Sequence, residues 1–145
     1  MEIISETTFE KARKKIRETK GDKIIFTSED DELNRKILEK EKIDVLLLNQ
    51  KNRKDWQKQR NSGLNQVMAK IAKKNNIKIG INLDEIIESD EQKKAKIISR
   101  IVQNIQLCNK YKINMEFISK NKLNSIKIKS LGLTLGMPTW MTKNF

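Results

Sequence analysis

The chain has 145 residues, 37% of them hydrophobic and 34% charged, and a net charge of +12 at pH 7. That length fits one domain spanning residues 1–145 and falls well short of the roughly 250 residues of a complete eight-unit βα barrel. The lack of His removes the commonest general base and metal ligand, the single Cys108 excludes an internal disulfide, and no run approaches the roughly 18 apolar residues of a membrane span.

The N-terminal stretch MEIISETTFEKARKK has no apolar signal region, so a cytoplasmic protein without a membrane partner is expected. The charge balance speaks about partners rather than fold, with nucleic acid first and an anionic surface second. Lys, Ile and Asn dominate the composition. Such a bias also follows from an AT-rich genome, so the clustering of charges carries more weight than their sum.

Apolar runs and helical patterns alternate along the chain. Residues 2–4 read as a short strand, and Phe9, Ala12 and Ile16 follow at helical spacing up to Gly21. Residues 23–26 read as a second strand. Ser28 and Asp31 signal the start of a helix with Leu33, Ile37 and Leu38 inward. Residues 43–48, IDVLLL, form a continuous apolar run, as expected of a parallel strand buried on both faces.

A polar stretch, 49–61, comes next. Leu64, Val67, Met68, Ile71 and Ala72 then predict a helix, and residues 77–83, IKIGINL, a strand. Ser89 and Gln92 form a capping box for a long helix over 90–111, with Ile98, Ile101, Val102, Ile105 and Cys108 inside. Lys93, Lys94, Lys96, Arg100 and Lys110 are expected on its outer face. Residues 115–119 read as a strand and 124–135 as a weaker helix ending at Gly136, before Pro138. The predicted fold is α/β: a reduced or partial TIM-like βα barrel with a parallel sheet of four to five strands.

The stretch 49–61 is the main functional candidate. It carries Lys51, Arg53, Lys54, Lys58 and Arg60 against one acid, Asp55. It exceeds the roughly 2–6 residues usual for such a connection, and it leaves the C-terminal end of a strand, where α/β folds place binding loops. The cations suit phosphates, and Trp56 offers a face on which an unpaired base can stack. The competing reading is a solvated loop with Trp56 folded onto the core, or a protein contact. Ser62 is expected to cap the next helix, with Asn65 bonding back and Gly63 permitting close approach of a ligand. Arg60 is the first choice for a phosphate contact, because its planar fork suits that group.

Arg100, Lys120 and Lys122 are secondary RNA candidates, and a solvated surface is the ordinary reading for such charges. Gln103 and Asn104 read as helix-packing or partner contacts. Trp140 and Phe145 suit a sheet edge or a partner. Asp84, Glu85, Glu88 and Asp90 cluster after strand 77–83. They are local in sequence and two of them serve a helix start, so independent metal-dependent catalysis is not expected.

Arg60-Asn61-Ser62-Gly63-Leu64-Asn65-Gln66-Val67-Met68-Ala69, following Ile43-Asp44-Val45-Leu46, resembles a signature of the archaeal ribonuclease P protein component 3 family. IKIGINL, Gln103-Asn104 with Leu107 and Lys110-Tyr111-Lys112, Phe117-Ile118-Ser119 and Leu135-Gly136-Met137 resemble further family segments in the same order. The family His is Gln66 here, and the Arg that usually precedes the Gln-Asn pair is Val102. The family's first strands and its C-terminal extension have no counterpart, so the chain resembles a shortened member.

The resemblance implies a barrel-like fold in a ribonucleoprotein that removes the 5′ leader from precursor tRNA, with RNA as the catalyst. It implies ribonuclease P RNA, precursor tRNA and protein component 2 as partners, the proteins as a heterotetramer. No cofactor is expected on the protein alone, and Mg²⁺ is expected with the RNA. The isolated chain is expected to be non-catalytic. Two alternatives stand beside this: a protein-interaction module without RNA contact, and a metal-dependent nuclease.

Overall fold

The computed structural model describes residues 1–145. In chain order it holds β1 (Glu2–Ser5), α1 (Phe9–Glu18), β2 (Ile24–Thr27), α2 (Asp31–Lys40), β3 (Val45–Leu48) and α3 (Gln66–Lys74). These are followed by β4 (Lys78–Asn82), α4 (Leu83–Glu88), α5 (Glu91–Tyr111), β5 (Met115–Ile118), α6 (Ser125–Thr134) and α7 (Thr139–Thr142). All five strands are parallel and lie in the sheet in sequence order. The α/β fold with a short parallel sheet is therefore as expected from the sequence, at the upper end of the strand count.

Right-handed crossovers between successive neighbours put every helix on one face of such a sheet. The core agrees. Ile4, Phe26, Leu46, Leu48, Ile79, Ile81, Met115 and Phe117 from the strands pack with residues of all seven helices, among them Ala12, Ile37, Met68, Ile86, Ile105, Ile128 and Met141. The opposite face supplies a second cluster made only of strand residues: Ile25, Val45, Leu47 and Ile118.

Those four residues are buried although no helix covers them. The sheet curls instead. Lys23, at the start of β2, forms an ion pair with Glu116 of β5 across the two intervening strands. Gly80 of β4 makes the curl possible. A Cβ there would sit 2.9 Å from Cγ1 of Val45 and 3.2 Å from Cδ1 of Leu47, closer than carbon atoms pack.

Three helix starts differ from the sequence reading, in the same way. α2 is capped by Asp30, not Ser28; α3 by Asn65, not Ser62; α5 by Asp90, not Ser89. In each case an Asp or Asn further along takes the role, accepting from backbone N–H groups of the first turn. Helices α4 and α7 are additional. Val67, expected inward, is exposed. The tail folds back onto β5: the Phe145 ring meets Phe117 edge-on at 5.7 Å, and Ser125 Oγ donates to the Phe145 carbonyl.

Candidate nucleic-acid interface

The C-terminal ends of the strands are cross-tied by polar side chains. Thr27 Oγ1 donates to the Leu47 carbonyl, Asn49 Nδ2 to Thr27 Oγ1, and Asn82 Nδ2 to Asn49 Oδ1. The Glu85 carboxylate accepts from the Gln50 backbone N–H at 2.8 Å. Burial pushes its pKa above the ordinary carboxylate value, opposed by the N–H groups of Gln50 and Lys51. The basic loop thus leaves the sheet from a fixed base.

Two arginines then hold the loop from below. Arg100 of α5 is 3% exposed, which corrects its expected place on the outer face of that helix. Its guanidinium donates to Asp55 Oδ1, the Gln50 carbonyl and the Arg53 carbonyl, each at 2.9 Å. This bond from Arg100, with the Asn61 N–H, holds the Asp55 carboxyl below its usual pKa. Arg53 is likewise turned inward. It makes a two-pronged pair with Asp31 at 2.9 and 3.0 Å, and donates to the Asn49 carbonyl and to Asn61 Oδ1. Such forked pairs fix geometry as well as charge.

The end of the loop is locked too. Ser62 is buried; its carbonyl accepts from Gln50 and Asn104, and its hydroxyl from Gln103. Gln103 also donates to the Arg60 carbonyl. The Gln-Asn pair on α5 therefore braces the loop, and Asn104, 3% exposed, presents no surface to a partner. Gly63 has φ +80°, and a Cβ there would lie 2.3 Å from Nη2 of Arg53. Its role is to admit the Arg53 guanidinium rather than a ligand. Asn65 spends its side chain on the α3 cap.

What remains outside is a tip and a row of cations. Trp56 and Gln59 bridge across a tight turn, with Trp56 N–H donating to the Gln59 carbonyl at 2.9 Å. The indole stands 60% exposed, so it is not folded onto the core. Lys51, Lys54, Lys58 and Arg60 are exposed. Lys51 and Lys54 line a cleft of about 330 Å³ with Arg53, Asp55, Lys93, Lys96 and Arg100, and with no hydrophobic residue. Sequence reasoning placed Lys93 and Lys96 on a solvated helix face; their meeting with the loop depends on Arg100 drawing the two elements together.

The other candidates lie elsewhere. Lys120 and Lys122 are exposed after β5 and do not line this cleft. Trp140 is half-buried, with Nε1 donating to Asn109 Oδ1 and the Lys112 ammonium 5.3 Å from its ring. Three of the four acids after β4 are engaged, Asp84 accepting from Ser119 Oγ and the Lys120 N–H, Glu85 from the Gln50 N–H and Asp90 from the Lys93 N–H, while Glu88 is exposed. No three His, Cys, Asp or Glu side chains converge as metal ligands would. No helix is long and apolar enough to cross a membrane.

No family model matches the chain. Curated relatives do. Ribonuclease P protein component 3 of Methanococcus maripaludis is 29% identical over 107 residues, 74% of this chain and 43% of the relative. That of Methanosarcina acetivorans is 32% identical over 98 residues, 68% and 38%. This chain is related to the ribonuclease P protein component 3 family. It spans about two fifths of the length of the component 3 proteins it matches. A chain in the cryo-EM structure of an archaeal ribonuclease P with mature tRNA superposes with a TM-score of 0.78 at 18% identity, covering 97% of this chain and 62% of that one. At that identity the likeness is one of fold, and it takes in nearly the whole chain.

Proposed function

We propose that this chain is a single-domain protein subunit of ribonuclease P that binds the catalytic RNA and a partner protein, and so supports 5′-leader removal from precursor tRNA in the cytoplasm. The ordered similarity to component 3 relatives carries this reading. The exposed cations and Trp56 beside the sheet's C-terminal end supply a surface of suitable chemistry: ammonium groups for phosphates and an indole for a base. The chain assists and does not itself cleave. Mg²⁺ enters with the RNA, held mainly by phosphates.

Reconstitution tests the proposal. Cleavage of precursor tRNA by the RNA and the remaining subunits at low Mg²⁺ is expected to rise when this chain is added. Equal rates with and without it would reject the subunit role. For the RNA surface, Lys51, Lys54, Lys58 and Arg60 changed together to Ala should flatten the salt dependence of RNA binding by about one unit per lost phosphate contact.

One observation favours a second reading, a protein-interaction module that binds component 2 without touching RNA. Ile126 and Leu133 of α6 are 78% and 46% exposed and lie seven residues apart, on one helix face. Cross-links confined to protein in the assembled particle would favour that reading.

A further inference from the structure

Lys51 and Lys54 come from the loop after β3; Lys93 and Lys96 come from the first two turns of α5. Together they surround the cleft of about 330 Å³. Its lining contains six cations and one acid, and that acid, Asp55, is engaged by Arg100. Arg53 is engaged by Asp31. None of the four lysines forms an ion pair. Holding four unneutralised ammonium groups around one small concavity costs repulsion, which a bound anion relieves.

The walls are rigid. Arg100 fastens the loop to α5 through three hydrogen bonds, and Gln103 and Asn104 fasten its far end. Opposite walls with fixed spacing distinguish this cleft from a row of lysines on one helix. No apolar side chain lines it, so a base or an apolar ligand finds no stacking surface there. Trp56, which offers one, stands outside the cleft on the neighbouring turn.

We propose that the cleft between the β3–α3 loop and the start of α5 is a phosphate clamp, in which Lys51 and Lys54 on one wall and Lys93 and Lys96 on the other grip the RNA backbone while Trp56 stacks on an adjoining base. This rests on the RNA-binding reading above. It adds α5 as a contributor and assigns Arg53 and Arg100 to positioning rather than to contact.

Two measurements on the full chain test it. Inorganic pyrophosphate titrated into the labelled protein is expected to shift the backbone amides of residues 51, 54, 93 and 96 together and saturably. Shifts absent there, or spread evenly over all lysines, overturn the clamp. Separately, the salt dependence of binding to a short RNA hairpin is compared for K93A/K96A, K93R/K96R and K58A/R60A. The Ala pair on α5 should lower the slope by about two, and the Arg pair should keep it. If K93A/K96A leaves the slope unchanged while K58A/R60A lowers it, the clamp fails and the RNA surface stands. If neither changes the slope, both fail. All four residues are exposed, so unaltered thermal unfolding of the variants shows that the loss is one of contact.

Discussion

Two depressions open at opposite ends of the sheet, and both are rich in lysine. The one at the N-terminal ends of the strands is the larger, about 660 Å³, and is lined by Lys23, Lys73, Lys78 and Lys112 with Asp22 and Asp44. The one at the C-terminal end is half that volume. In the larger, Lys23 pairs with Glu116, Asp22 takes the N-terminal ammonium, and Lys73 donates to the Lys112 carbonyl. In the smaller, four lysines have no counter-ion. Size favours the wrong end and lysine count, four at each, favours neither; the balance of lining charge, six cations to one engaged acid against four cations to two acids, favours the loop. In a chain of net charge +12, lysine is background, and what marks a site is cation that the fold has left unanswered.

The largest expected effect tests what holds the smaller cleft together. Arg100→Ala removes a buried cation and strands Asp55 and two carbonyls, which should cost about 3 kcal/mol in urea unfolding. It should also speed amide exchange over residues 50–61. Arg100→Lys should recover only part of this, because an ammonium cannot reproduce the planar fork. If Arg100→Ala left both stability and exchange unchanged, the loop would have to be held by other means.

Gly80→Ala comes next, since Gly80 lies in close contact with the neighbouring strand β3. Its Cβ would press on Val45 and Leu47, so overpacking of about 1–3 kcal/mol is expected from the same unfolding measurement. Trp56→Ala should leave stability within about 0.5 kcal/mol, because the ring is exposed. It should weaken RNA binding about tenfold through lost stacking. Binding unaffected by that change would limit the interface to phosphate contacts. Lys78→Ala with Lys112→Ala, at the opposite depression, should leave the salt slope of RNA binding where it was; a fall matching that of the upper cleft would erase the contrast between the two ends.

The smallest effect is on acid stability. Asp55 titrates below its ordinary value because Arg100 donates to its ionised form. Its stabilisation is therefore complete above the unfolded Asp value of about 3.9 and is lost as pH falls through the lower folded value. Trp56 fluorescence should report the loosening loop in that acid window, and Asp55→Asn should remove the dependence. The carboxylate is one-third exposed, so solvent screening keeps the change modest.

Much of this molecule was legible in its residues. IDVLLL had to be an inner parallel strand, because such a run is stable only with both faces covered. The alternation of apolar runs with helical periods pointed to four or five βα steps, of which the structure has five strands, and the loop 49–61 stood out as a basic interruption. Other features were hidden for identifiable reasons. Ser28, Ser62 and Ser89 each offered a plausible cap, but an Asp or Asn further along took the role, and a sequence pattern does not rank neighbouring candidates. Arg100 looked like one more cation in a lysine-rich helix. A helical period does show it in register with Ile97, Ile101 and Asn104, all of them buried, and an arginine on a buried stripe was the available clue.

The sequence by itself determined the class of fold, the order of its elements and the concentration of charge after the third strand. Local periodicity and composition are properties of neighbouring residues, and neighbours are what a sequence displays. Only the tertiary structure decided which charges are free. Arg100 meets Asp55 from 45 positions away and Arg53 meets Asp31 from 22. Until the sheet curls and α5 packs against it, those arginines are indistinguishable from the lysines that remain exposed. Pairing over such distances depends on the whole chain being folded, and it separates the cations that build the cleft from those left to bind.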